Sequence, residues 1–145
     1  MQAFVTAGAG FLLAVLWFDL MFDVQVRRGA TDEAVESIAT YYARVTTGAR
    51  PMNRLVALAM VGTLAAVVAE IAGDSVPAWA AWSSLVLVAL PVGLAGARTV
   101  PAAVRLGGRV DPPTERVAAA ERILRQHVFC FACIAAVLVV QLASL

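Results

Sequence analysis

Seven residues have the chemistry and the spacing to meet at one depth of a membrane: Asp19, Asp23, Asn53, Arg54, Arg98, Arg122 and His127. Carboxylates beside an imidazole offer acid–base chemistry, because histidine titrates near neutrality. His127 is the only histidine in the chain. Asp19 and His127 are therefore the candidate catalytic pair. Asp23, Asn53, Arg54, Arg98 and Arg122 are the candidate ligand-binding residues, with Arg98 and Arg122 suited to an anionic group or to developing negative charge. Asp19 follows Trp17-Phe18 inside an apolar run and is too short to snorkel far. Unpaired, it would have to be neutralised; paired with Arg98 or Arg54, it would stay ionised. A plainer reading stands beside this one. Arg, Asn and His at helix ends serve as interfacial anchors, and an Arg–Asp pair compensates buried charge without any chemistry.

Cys130 and Cys133 form a C-x-x-C motif with His127 one helical turn before it. Packing, redox and metal roles are all open to such a motif, and packing is the simplest. No standard ligand spacing supports a metal, so none is assigned. Glu70 shares a helical face with Gly62 and Ala66, which suits a buried, functional acid, and an interfacial acid next to Asp74 is its simpler reading. One His permits neither an H-E-x-x-H zinc motif nor bis-histidine haem ligation within one chain. There is no glycine-rich phosphate loop, and no polar file crosses the apolar runs. A self-contained channel or proton-coupled pump is thereby disfavoured.

The elements that must position these residues follow from composition. The 145 residues are 61% apolar and only 14% charged. Soluble domains run nearer half apolar and a quarter charged, so lipid is the expected solvent. A formal net charge of +1 and two cysteines exclude a basic nucleic-acid binder and a secreted disulfide scaffold. A span needs about 20 helical residues, and four runs qualify: about 3–22, 55–72, 78–97 and 128–145. The first lacks the basic start and small-residue cleavage site of a signal peptide. The fold class is an all-α polytopic membrane protein. It is a single integral domain, 1–145, with a four-transmembrane-helix bundle and one extra amphipathic cytoplasmic helix at about 31–47. All eleven basic residues are Arg, and they fall in the two long connections or at their edges. The positive-inside bias places those loops in the cytoplasm and both termini outside. Arg-only, Ala-rich usage fits a GC-rich bacterial genome and hence the bacterial inner membrane.

Local signals set the helix ends. Asp111-Pro112-Pro113 reads as an N-cap followed by proline in the first turn. From Thr114 to Leu145 there is no Gly or Pro, so the last helix should project beyond the bilayer. Pro91 should kink the third span, and Pro101 bend it again. Thr31 caps the extra helix, Asp32, Glu33 and Glu36 favour its start, and Gly48 ends it. Val35, Ile38, Tyr42 and Val45 form its apolar stripe, suited to docking under the bundle. Gly10/Ala14, Gly62/Ala66 and Ala89/Gly93/Ala97 are small-residue patches for helix contacts.

In size, four spans, the Arg50-Pro51-Met52-Asn53-Arg54 start of one span and the Arg122-Ile123-Leu124-Arg125-Gln126-His127 start of the last, the chain resembles the anthrone-oxygenase-like small bacterial membrane proteins. That resemblance implies cofactor-independent oxidation of a hydrophobic aromatic substrate, with Asn53, Arg122 and His127 near the site. About a dozen residues carry it, and their order departs from the family pattern.

Three functions fit the sequence. One is an accessory or structural membrane protein, or a binder of lipid or a hydrophobic ligand, with a polar pocket at the cytoplasmic leaflet. It would partner the lipid bilayer and form a homo-oligomer or join a membrane complex, without nucleic acid. The second is a membrane enzyme acting on a hydrophobic substrate. The third is an oligomeric transporter of a small solute. The sequence names no cofactor.

Overall fold

A computed structural model describes residues 1–28 and 31–145; the side chains of Arg28, Arg50 and Met52 lie outside that description. The described residues are helical, with no strand among them. Helix α1 (Gln2–Asp23) ends in a 3-10 turn over Val24–Arg28. Helix α2 (Asp32–Tyr42) widens into a π-turn over Ala43–Gly48 and is followed by α3 (Arg50–Ala72). Helix α4 (Ala78–Leu94) passes through a π-turn, Ala95–Thr99, into the short α5 (Val100–Gly107). Helix α6 (Pro113–Ala143) closes the chain. Its 31 residues make a rod of about 46 Å at 1.5 Å per residue.

Four helical stretches are long and apolar enough to cross a membrane: Gln2–Arg27, Asn53–Ala72, Ala78–Gly107 and Pro113–Ala143. Their neighbours run α1–α3, α3–α4, α4–α6 and α6–α1, so they form a closed square with α1/α4 and α3/α6 on the diagonals. Val5, Ala9, Val67, Val88, Ile134 and Val137 fill its centre. Large apolar side chains point outward, Phe4, Leu58 and Val139 among them. Water would penalise such a surface and lipid does not.

The two ends of the bundle differ. At one end Gln2 donates to the Gln141 carbonyl at 2.8 Å, holding the chain's beginning against its last helix. At the other end lie the Arg-rich connections, and there α2 docks beneath the square. The apolar stripe buries Val35, Ile38 and Tyr42 against Leu106 of α5 and Ile123 of α6, with Val45 packed at the edge. Burying each such side chain contributes about 1.5–3 kcal/mol, which outweighs the weak helix propensity of a β-branched stripe. Thr31 caps α2 as its position suggests, accepting from the Ala34 amide at 3.2 Å.

Several local expectations change. Asp111 does not cap α6. Its carboxylate pairs with Arg105 and its carbonyl accepts from Arg116, leaving Pro112 at the cap position. Pro91 is buried inside α4, and the helix continues for a turn before it widens into the π-turn. Pro101 follows the π-turn inside a continuous helical stretch, so the ladder bond that its missing N–H would have made is lost there. The small-residue patches are not where helices touch most closely: a Cβ on Gly10, Gly62 or Gly93 would meet open space. The tight approach is at Gly8, whose added Cβ would fall 2.1 Å from Thr63 Oγ1. Thr63 is locked by its own bond to the Ala59 carbonyl.

Gly107 seats α5 against the end of α2. A Cβ there would lie 2.6 Å from the Ala43 amide nitrogen and 2.8 Å from the Tyr42 carbonyl carbon. Both obstacles are backbone, so neither can swing aside. Gly107→Val should therefore lever α2 away from α5 and cost about 1–3 kcal/mol, the usual toll of overpacking. Hydrogen exchange read across residues 32–48 should rise in this variant while that of α6 near Val137 stays slow.

Candidate functional site

Asp19 and Asp23 stand one turn apart on α1, and His127 comes from α6 opposite them. The His127 Nδ1 lies 2.6 Å from Asp23 Oδ2. Its Nε2 lies 3.9 Å from Asp19 Oδ2. The imidazole is thus flanked by a carboxylate on each ring nitrogen. Asp23 is fully buried and His127 nearly so. A carboxylate can only accept, so the Nδ1 proton points at Asp23. An ionised Asp23 thereby favours the tautomer protonated on Nδ1 and leaves Nε2 toward Asp19.

Helix α2 supplies the remaining partners. The Tyr42 hydroxyl donates to Asp23 Oδ1 at 2.6 Å, and the Tyr41 hydroxyl donates to Asp19 Oδ1 at 2.7 Å. Tyr41 is held by stacking on Phe22, with ring centroids 4.0 Å apart. Burial, and then the neighbouring aspartates, push both tyrosine hydroxyls well above the ordinary phenol range. They therefore remain proton-carrying donors at any physiological pH. Both tyrosines come from the last turn of α2, so docking of that helix is what completes the site.

The array opens onto a cavity of about 320 Å³. That is within the usual range for small-molecule pockets, about 300–1,000 Å³. Asp19, Tyr41, Tyr42 and His127 line it, but Asp23 does not. Thr46, Asn53 and Thr99 add polar groups, and Val15, Phe18, Val56 and Val100 make apolar walls. Asn53 also donates to the Thr46 carbonyl at 2.8 Å, tying α3 to the π-turn. A smaller, nearly apolar cavity of about 90 Å³ continues toward the bundle centre and shares Val15, Asp19 and Val56 with the first. Asp19 stands where the two meet.

The structure brings together Asp19, Asp23, Asn53 and His127. It does not bring in the arginines. Arg54, Arg98 and Arg122 have exposed side chains, and none lines this cavity. Arg98 and Arg122 instead border a separate surface groove between α5 and α6, with Arg105 and Asp111. The expected Asp19–Arg98 or Asp19–Arg54 pair is replaced by Asp19 with Tyr41 and His127, because depth along a helix leaves open which way a side chain points. Tyr41, Thr46 and Thr99 escaped the sequence reading, and Tyr42 entered it only as an apolar-stripe residue. The adjacent Tyr41-Tyr42 pair at the end of an amphipathic helix was the available signal.

Cys130 and Cys133 are both free and buried on α6. Cys130 lines the small cavity, its sulfur 4.0 Å from the Pro91 carbonyl. Among the described residues, no group of three His, Cys, Asp or Glu side chains has the geometry to hold a metal ion. Glu70 is not the interfacial acid its position suggested. It is fully buried at the opposite end of the bundle.

No protein-family model, no curated protein and no solved structure matches this chain.

Proposed function

We propose that the protein takes a small, mostly apolar ligand from the membrane into the Asp19–His127 cavity and acts on it by proton transfer. The observation that carries this reading is the Asp23–His127–Asp19 array, with one imidazole nitrogen anchored on Asp23 and the other on the side of Asp19, which lines the cavity together with His127. Anchoring one ring nitrogen orients a histidine for acid–base work. A carboxylate beside the second nitrogen gives the proton a place to go. In this scheme His127 and Asp19 are the catalytic residues, while Asp23 and Tyr42 position His127.

The cavity walls suggest the ligand's character. Asp19, Tyr41, Tyr42, Thr46, Asn53, Thr99 and His127 bring the polar groups, and valines, alanines and Phe18 form the rest. Phe18, one of the walls, is 59% exposed, which supports entry from the lipid-facing side of α1. No Arg lines it, which favours a neutral or cationic hydrogen-bonding head over an anion. An aromatic ring bearing hydroxyl or keto groups fits this description. That is also the substrate class implied by the resemblance to the anthrone-oxygenase-like proteins. Charge bias puts the Arg-rich end, and therefore the cavity, at the cytoplasmic leaflet.

Native mass spectrometry of the protein released gently from its own membrane tests the binding step. The expected result is one small molecule of defined mass, retained by wild type and lost from Val56→Trp, which fills the cavity wall. Heterogeneous phospholipid alone, equal in both proteins, would contradict the reading and favour an accessory subunit.

A further inference from the structure

Arg98 and Arg122 take no part in the His127 cavity, yet they meet at a groove of their own. It has a volume of about 660 Å³ and runs between α5 and α6, with Arg98, Arg105, Arg122 and Gln126 along it. Asp111 and Glu115 line it too, and the remaining lining residues are proline and alanine, whose short side chains leave the space open. Arg105 is already paired with Asp111. None of the ion pairs among the described residues includes Arg98 or Arg122, and both side chains are exposed. Three arginines thus face two carboxylates, and the lining keeps one positive charge in excess.

The groove is polarised along its length. Glu115 precedes Arg122 by seven residues on α6, or about 10 Å, and lies toward the loop. The carboxylates therefore occupy the loop end and the two unpaired arginines the bundle end. That end has a definite depth. Ala78 and Ala143 lie together at the Arg-free end, where Gln141 donates to Ser84 at 3.1 Å. Arg98 stands about 30 Å along its helix from Ala78, and Arg122 about 32 Å along α6 from Ala143. The hydrocarbon core of a bilayer is about 30 Å thick. Both guanidinium groups therefore reach the depth of the lipid phosphates. Below them the same face of α6 turns apolar: Phe129 follows Arg122 at i+7 and is exposed.

Guanidinium groups bind phosphate oxygens through paired, charge-assisted hydrogen bonds, and basic pockets between membrane helices take anionic headgroups. We infer that the groove between α5 and α6 binds one anionic phospholipid from the leaflet at the Arg-rich end. Arg98 and Arg122 hold its phosphodiester, Gln126 adds an amide donor, and an acyl chain runs down past Phe129. A headgroup with one net negative charge neutralises the excess on the lining, whereas a zwitterionic one leaves it. The site is separate from the His127 cavity and independent of what that cavity binds.

The test counts lipids bound to the delipidated full chain by native mass spectrometry. The chain is titrated in nonionic detergent with phosphatidylglycerol and, in parallel, with phosphatidylcholine of the same acyl chains. The variants are Arg98→Gln, Arg122→Gln and, as a control, Arg54→Gln, whose side chain is also exposed at the Arg-rich end but lies outside the groove. Wild type should retain one phosphatidylglycerol in preference to phosphatidylcholine. Arg98→Gln and Arg122→Gln should each weaken that binding by about tenfold or more, the scale of one lost charge-assisted contact, and Arg54→Gln should bind as wild type. Either groove variant suffices alone if the other does not fold. A third arm adds excess sodium phosphate at constant ionic strength, and the bound lipid should stay. Equal weakening in all three variants, or equal binding of the two lipids, would reduce the effect to diffuse attraction and overturn the inference. Displacement of the lipid by inorganic phosphate would assign the arginines to a soluble anion and overturn it as well.

Discussion

Asp23→Ala is expected to be the most destabilising single substitution at the site, costing about 3–5 kcal/mol, the range for breaking a buried charged pair by removing one member. The reason is what it strands. Asp23 is fully buried and serves Tyr42 and His127 at once, at 2.6 Å each. Alanine leaves a hydroxyl and an imidazole N–H without acceptors in a place closed to water. The damage should spread to α2, because the Tyr42 hydroxyl is part of what seats that helix. Asp23→Asn should cost less. Its carbonyl can still accept from Tyr42, but its amide opposes the Nδ1 proton and forces the other tautomer. Reversible unfolding in mixed micelles would measure both. A loss under about 0.5 kcal/mol for Asp23→Ala would mean that the array contributes nothing to holding the fold.

The second large effect concerns chemistry. Asp19→Asn and His127→Gln should each slow proton exchange between the site and its ligand by about 10²–10⁴-fold, the usual contribution of a positioned acid or base. Ligand recovered from the wild-type protein can be returned to each variant in D₂O and its deuterium content read by mass spectrometry. Binding should change far less, because the valine and phenylalanine walls remain. Asp19→Asn still accepts the Tyr41 hydroxyl, so the fold should persist. Equal deuterium incorporation in wild type and both variants would assign the array to structure alone.

The architecture was legible in the sequence for a simple reason. Lipid demands long apolar helices, and Gly48, Gly73, Pro77 and Gly107 punctuate them where the structure turns. The docked α2 was legible too, since Val35, Ile38 and Tyr42 repeat at helical spacing and only a partner could cover them. The site was legible by depth but not by direction. Asp19, Asp23 and His127 lie at the level their distance from the helix ends suggests. Arg98 and Arg122 lie at a similar level but face outward, because a rotation of about 100° per residue decides who meets whom. Tyr42 was read only as an apolar stripe residue, although its ring end also carries a hydroxyl that needs a partner when buried. Glu70 gave a usable signal in its i, i+4 relation to Ala66, which is also buried. The nearby Asp74 and the adjacent loop made an interfacial reading simpler.

The account rests on His127 being anchored through Nδ1 and available through Nε2. Because it is the only histidine, ¹⁵N-histidine labelling gives an NMR spectrum of that one side chain. The expected spectrum has a hydrogen-bonded proton fixed on Nδ1. Its resonance should move in Asp23→Asn, while the Nε2 resonance should move in Asp19→Asn and on ligand binding. Rapidly averaged tautomers, with both nitrogens indifferent to both substitutions, would contradict the account.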